Sequence, residues 1–200
     1  MIITIGRQYG SGGRDIGQKV AQALGYKFYD KEILTLTAER EGFSVPAVRQ
    51  YDEALTSSLL YGTYLSTAAG GADVLPLNQK LAIAQFDVVR RIAKDGNCVI
   101  VGRCADYVLR DTPHCLNVFV HANPEFRKDR AVKFYGVAPE LAEKTLRKQD
   151  KRRSDYYEFF TQKRWGDART YNLTIDSGKF GIDGASEAIV AMVRLLQAQG

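Results

Sequence analysis

Five short apolar runs, at residues 2–5, 26–29, 98–101, 116–120 and 173–175, constrain the fold more than any other feature. None alternates strictly between apolar and polar residues, so each predicts a strand covered on both faces rather than one with a wet side. Helical segments separate the runs, which is the order needed when parallel strands are joined by crossovers. The pattern predicts an α/β chain: a three-layer structure with a parallel five-stranded sheet flanked by helices. With 200 residues and 45% hydrophobic content, the chain can bury one substantial core. A single domain over 1–200 follows, with a helical insertion at about 40–95 and a separate segment at about 123–170.

The helices carry their own signals. Leu77, Leu81, Ala84, Val88 and Ile92 recur at helical spacing and stop before Asp95-Gly96, predicting a helix over 77–93. Pro124 and Pro139 each stand where a helix can open without losing a backbone hydrogen bond. Residues 185–196 predict a last helix packed on the sheet, 70–76 read as a loop, and 43–76 carry the weakest pattern. Cys98, Cys104 and Cys115 are odd in number and lack C-x-x-C spacing, so they read as small buried hydrophobes in a reducing compartment. His114 and His121 have no partners at metal or catalytic spacing and read as structural. The first residues form a strand rather than a leader, and no apolar run reaches the roughly 18 residues of a membrane span. The expectation is a soluble cytoplasmic protein that does not engage membranes.

Gly10-Ser11-Gly12-Gly13-Arg14-Asp15 lies between the first run and a segment with apolar residues at helical spacing. A glycine turn between a buried strand and a helix start can cradle phosphate, because the backbone approaches closely and N–H groups and the helix dipole favour an anion. The common phosphate loop reads G-x-x-x-x-G-K-[ST]. Here no lysine follows the glycines. Arg14 stands one place late, Asp15 falls where a hydroxyl would hold magnesium, and Gly6 is at an unhelpful distance. Gly10, Ser11, Gly12, Gly13, Arg14 and Asp15 are the expected phosphate cradle. Arg14 is expected to do part of the missing lysine's work, and Asp15 or Ser11 to help hold magnesium.

Charge is concentrated. Residues 127–169 hold 13 basic and 7 acidic residues, so this stretch supplies the whole net charge of +5 and the rest of the chain sums to −1. Catalysis of phosphoryl transfer is mostly positioning and neutralisation, which cations on a closing lid supply. Lys144, Arg147, Lys148 and Lys151 share one helix face, either solvated or turned to a ligand. Arg127 and Arg130 sit one turn apart, and Arg152 and Arg153 are expected at the end of the next helix. Both sets are placed to reach a shared anion, with Arg130 and Arg152 as catalytic candidates. At the carboxyl edge of the sheet, Asp30 reads either as a group orienting the acceptor or holding metal through water, or as a helix N-cap. Arg103, directly after the third run, reads as an acceptor-phosphate ligand or as half of a salt bridge. Tyr156, Tyr157, Phe159, Phe160 and Trp165 read as the lid's own packing, which disfavours nucleic-acid binding.

Several stretches together resemble the cytidylate kinase-like proteins, a branch of the nucleoside monophosphate kinases within the P-loop fold. They are the segment from Ile3 to Arg14, Tyr29-Asp30-Lys31-Glu32, Val101-Gly102-Arg103, Trp165-Gly166-Asp167 and Tyr171-Asn172-Leu173. The resemblance implies ATP as phosphoryl donor, Mg2+, CMP or dCMP as acceptor, and an arginine-bearing helical lid. It implies Arg103 as the acceptor-binding arginine and Arg127 and Arg130 as the start of the lid; Arg153 is an acceptor-contact candidate from its place in the basic segment. Asp150 and Ser154 echo a D-x-x-D-S-x-R pattern, and Asp176-Ser177 matches a motif after the last strand. Cys104 replaces the family's aspartate after Gly-Arg, and Arg153 and Tyr156 take the places of the second aspartate and last arginine. The residues leave three readings open: an ATP-dependent kinase of a nucleoside monophosphate, a kinase of another small acceptor, or a nucleotide-binding regulatory protein without turnover. Each is compatible with a homo-oligomer.

Overall fold

The computed structural model describes residues 1–42, 44–46, 48 and 77–199. Along the chain come β1 (Ile2–Arg7), α1 (Gly13–Leu24), β2 (Lys27–Tyr29), α2 (Glu32–Glu41), α3 (Leu77–Lys94), β3 (Cys98–Val101), α4 (Ala105–Val108), β4 (Cys115–His121), α5 (Pro124–Tyr135), α6 (Ala142–Thr161), β5 (Leu173–Asp176) and α7 (Ser177–Ala198). The five strands form one sheet in the order β2-β3-β1-β4-β5, with every pairing parallel.

Both faces of that sheet are buried, as the unalternating runs require. Ile3, Ile5, Val99, Val101, Val118 and Val120 pack with Ile16 and Val20 of α1 and Ile189 and Val193 of α7. The intervening residues Ile2, Cys98 and Ile100 join Ile33 of α2, Val88, Val89 and Ile92 of α3, and Leu109 in a second core. Each of these side chains contributes about 1.5–3 kcal/mol by leaving water. Gly17 lets α1 lie close on the sheet, since a Cβ there would sit 3.0 Å from Ile5 and 3.2 Å from Phe28 and Val101.

Four boundaries differ from the sequence expectation. β1 runs on through Gly6 and Arg7, which pair with Phe119 and Val120 of β4. A 3-10 turn at Pro139–Leu141 precedes α6. That helix continues to Thr161 because Leu146, Tyr157 and Thr161 are buried along it, so Arg152 and Arg153 lie within the helix and not at its end. α7 starts at Ser177, where the Asp176 carboxylate accepts from the N–H groups of Gly178 at 2.9 Å and Lys179 at 3.3 Å, and it is broken at Gly181. The expectations placed on residues 49–76 lie outside the described residues. Among the described residues no helix is long and apolar enough to cross a membrane.

Cys98 and Cys115 flank Ile2 on neighbouring strands. Burial pushes the Cys98 thiol up to about 11 and the Cys115 thiol up to about 12. The unfolded thiols ionise first, near 8.5, so this stabilisation is full below that pH and is lost as pH rises through 11–12. Urea midpoints should therefore fall between about pH 8.5 and 10.5, and fall less in Cys98→Ala/Cys115→Ala. An equal decline in that variant would remove the thiols as its cause.

Candidate functional site

The glycine turn leaves β1 at the carboxyl edge of the sheet and enters α1. Gly10 and Gly12 have positive φ, 80° and 74°. A Cβ on Gly10 would lie 2.6 Å from the Arg127 carbonyl oxygen, and one on Gly12 would run into Ile182. Polar contacts hold the turn: Ser11 Oγ donates to the Gln8 carbonyl at 2.9 Å, and Ser177 Oγ donates to the Ser11 carbonyl at 2.6 Å. Among the described residues no protein group accepts from the N–H groups of Gly10, Gly12, Gly13 or Arg14. These donors, at the positive end of a 12-residue helix, fit the phosphates of a nucleotide.

The charged groups around the turn divide differently from the sequence expectation. Arg14 leans outward: its half-exposed side chain donates from Nε to Asp30 Oδ2 at 2.8 Å and lies over the Phe28 ring. That geometry ties it to β2 and does not bring it over the glycines. Asp30 is buried and is not a helix cap, since Lys31 holds the N-cap position of α2 without a side-chain bond. Asp15 is ion-paired with Arg130. Its carboxylate is committed to that guanidinium, so holding magnesium would require breaking the pair. Arg127 pairs with Asp150 of α6 and donates to the Tyr9 carbonyl at 3.3 Å, while Asp150 also accepts from the Tyr9 N–H at 2.7 Å. Arg127 and Arg130 therefore clasp the lid helices to the loop and do not share an anion with Arg152 and Arg153.

Those two arginines face another space. A cavity of about 230 Å³ opens where the carboxyl ends of β1 and β3 part, and Arg7, Arg103, Arg152 and Arg153 all line it. Gln149, Arg152, Arg153 and Tyr156 reach it together because they share one face of α6, at i, i+3, i+4 and i+7. The opposite face carries Lys144, Arg147, Lys148 and Lys151, all exposed. Arg147 pairs with Glu143 and Lys151 with Asp155, one turn away. That face is solvated.

Arg7 is the arginine that sequence reasoning missed. The available signal was a repeat: Ile5-Gly6-Arg7 and Val101-Gly102-Arg103 end two strands that pair with Ile5 opposite Val101. Burial and then the Arg153 charge pull the Arg7 guanidinium down to about 9, and burial likewise lowers Arg153. Arginine keeps its proton at neutral pH, so both groups remain cations in surroundings that take them out of water. Arg153 Nη1 donates to the Arg7 carbonyl at 2.9 Å, and Arg103 Nη1 donates to Gln85 Oε1 at 3.3 Å.

The far wall is polar and aromatic. Tyr157 donates its hydroxyl to Asp106 Oδ2 at 2.7 Å, and Asp106, Tyr157, Tyr171 and Trp165 all border the cavity. Burial raises the Asp106 carboxyl and both tyrosine hydroxyls. Asp106 also escaped the sequence reading, because Cys104 stands directly after Gly102-Arg103 and the carboxylate enters from the first turn of α4. Cys104 is buried beside Phe86 and Tyr157 instead. Tyr156, Phe160 and Trp165 pack in that same cluster, as expected of a lid's own core.

A glycine turn with free N–H groups beside an arginine-lined cavity suits transfer of an anionic group between two bound molecules. The sequence profile of the cytidylate kinase-like family matches residues 2–179. The chain belongs to the cytidylate kinase-like family. Membership brings phosphoryl transfer as its general chemistry. A solved structure similar in fold is that of an uncharacterized protein from Eubacterium ventriosum ATCC 27560, 28% identical, with 97% of this chain and 98% of that chain covered at a TM-score of 0.72. Shikimate kinase from Bacteroides thetaiotaomicron shares the fold at 14% identity, with 97% and 98% of the two chains covered and a TM-score of 0.56. Deoxyadenosine kinase from M. mycoides, solved with dCMP and dCDP, does so at 13% identity, with 98% and 100% covered and a TM-score of 0.50. Among curated proteins none matches the chain in sequence.

Proposed function

We propose that this protein transfers the terminal phosphoryl group of ATP to a nucleoside monophosphate, CMP or dCMP. The observation that carries the reading is the cavity with four arginines at the sheet edge, adjoining the glycine turn. When bound, the donor supplies the phosphoryl group, its phosphates held by the N–H groups of Gly10, Gly12, Gly13 and Arg14. Magnesium, when bound with the donor, would supply further neutralisation of phosphate charge; no residue of the turn is assigned to hold it.

A monophosphate acceptor carries between one and two negative charges near neutral pH, so its attacking oxygen needs no protein base. The site agrees with that chemistry, because Asp30 is tied to Arg14 and the acceptor end of the cavity presents cations. Arg103 and Arg153 hold the acceptor phosphate. Arg152 neutralises charge that builds on the transferring group. Asp106, oriented by the Tyr157 hydroxyl, accepts from an N–H or O–H of the acceptor, and Trp165 and Tyr156 give its ring an aromatic wall.

A coupled assay with ATP and each of CMP, dCMP, UMP and AMP tests the reading. Turnover of CMP or dCMP is expected to exceed that of UMP and AMP by at least about tenfold. Thermal stabilisation by nucleotide with no product from any acceptor would instead assign a binding protein without turnover.

A further inference from the structure

Two oddities of the glycine turn are one exchange. When Gly12 is set at the second glycine of G-x-x-x-x-G-K-[ST], the leading glycine's place falls on Arg7 and the lysine's place on Gly13. The chain has an arginine where the motif has glycine, and a glycine where it has lysine.

The structure shows why the two changes go together. A Cβ on Gly13 would lie 2.5 Å from Arg7 Cβ and 3.0 Å from Arg7 Cγ. Atoms so near the backbone cannot swing away, so only one of these positions can carry a side chain. From beside Gly13 the Arg7 stem runs across the start of the turn, and its guanidinium lies against Gly102, where an added Cβ would strike Nη1. Gly102, with φ of 78°, is thus required twice, by its own conformation and by the arginine above it. The Arg7 charge ends between the phosphate cradle and the acceptor cavity, which it also lines. Among the described residues it has no ion pair and no side-chain hydrogen bond, whereas Arg14 is committed to Asp30. A cation whose nearby carboxylate, Asp30, is already bonded to Arg14 costs stability at the junction of two anion sites in the free protein, and a bound phosphate removes that cost.

We propose that Arg7 supplies, from the end of β1, the cation that ordinary phosphate loops supply from the lysine after their second glycine, and that Gly13 is glycine to make room for it. This rests on the phosphoryl-transfer reading above. Arg7 therefore contacts the terminal phosphates of the donor, with a planar fork in place of an ammonium.

The test is a reciprocal exchange read by calorimetric affinity for ADP and for a non-hydrolysable ATP analogue, and by the melting shift each ligand produces. Arg7→Met is expected to weaken the analogue by about 10–100-fold, the range of a lost charge-assisted hydrogen bond. Its ligand-free melting temperature should stay the same or rise, since an unpaired cation leaves a half-buried site. Arg7→Lys should lose only a few-fold. Gly13→Lys alone should bind as poorly as Arg7→Met, and the exchange Arg7→Gly/Gly13→Lys should bind at least about tenfold better than Arg7→Gly. Retention of analogue affinity within about threefold by Arg7→Met, or an exchange no better than Arg7→Gly, overturns the assignment of Arg7 alone. Should the unaltered protein bind neither ligand, the assignment and the phosphoryl-transfer reading fall together.

Discussion

Arg152→Met should lower kcat with CMP or dCMP by about 10³-fold, close to the lower end of what a charge-neutralising arginine supplies in phosphoryl transfer. Arg152 lines the cavity from the middle of α6, and among the described residues it has no carboxylate partner. Its charge is therefore free to be used in the transition state. Because that charge is needed most when the phosphoryl group is between donor and acceptor, the loss should fall on kcat and leave KM within a few-fold. Arg152→Lys should restore only part of the rate, since an ammonium cannot make the two-point contact of a guanidinium. The comparison that isolates the effect is Arg147→Met, on the same helix but exposed and paired with Glu143. Steady-state kinetics of the three variants, with melting curves to show intact folding, decide the matter. A kcat for Arg152→Met within tenfold of the unaltered protein, or an equal loss in Arg147→Met, would remove Arg152 from the chemistry.

The parts of this structure that were legible in sequence are those governed by local periodicity. Five strands buried on both faces leave apolar runs without alternation, and those runs mark the sheet to within a residue or two at most edges. The glycine turn was legible because only glycine tolerates the φ values of residues 10 and 12. What periodicity could not show was which charges meet. The missing lysine directed attention forward along the chain to Arg14, but the nearest side chain to Gly13 is Arg7, brought back by the turn. The excess of positive charge over 127–169 pointed correctly to a cationic region, yet ending α6 too early hid the division of its arginines between two faces. Gln149, Arg152, Arg153 and Tyr156 align on one side because the helix runs on past them to Thr161, with Tyr157 buried and bonded to Asp106. That contact spans 51 positions of sequence, beyond the reach of any local pattern.

The same division makes Asp150 the hinge of stability rather than of chemistry. Its carboxylate joins Arg127 of α5 and the Tyr9 N–H of the turn, and the side chains of Asp150 and Arg127 are only 18% and 11% exposed. Breaking a pair this far from water leaves a buried cation uncompensated, at a cost of about 3–5 kcal/mol. Arg127 Nε has no partner, so the residue has little spare bonding to absorb the loss. Asp150→Ala should accordingly lower the melting temperature by about 6–20 °C for a chain of this size. Asp150→Asn should fall less than Asp150→Ala, because its amide oxygen still accepts from one of the two donors, Tyr9 N–H or the Arg127 guanidinium, while its NH2 faces the other. Arg127→Met/Asp150→Leu should be more stable than either single variant, since it removes both buried charges at once. If Asp150→Ala melts within about 1 °C of the unaltered protein, the Asp150 clasp contributes nothing, and the contacts of Arg127 and Arg153 with backbone carbonyls and of Arg130 with Asp15 hold the helices to the turn.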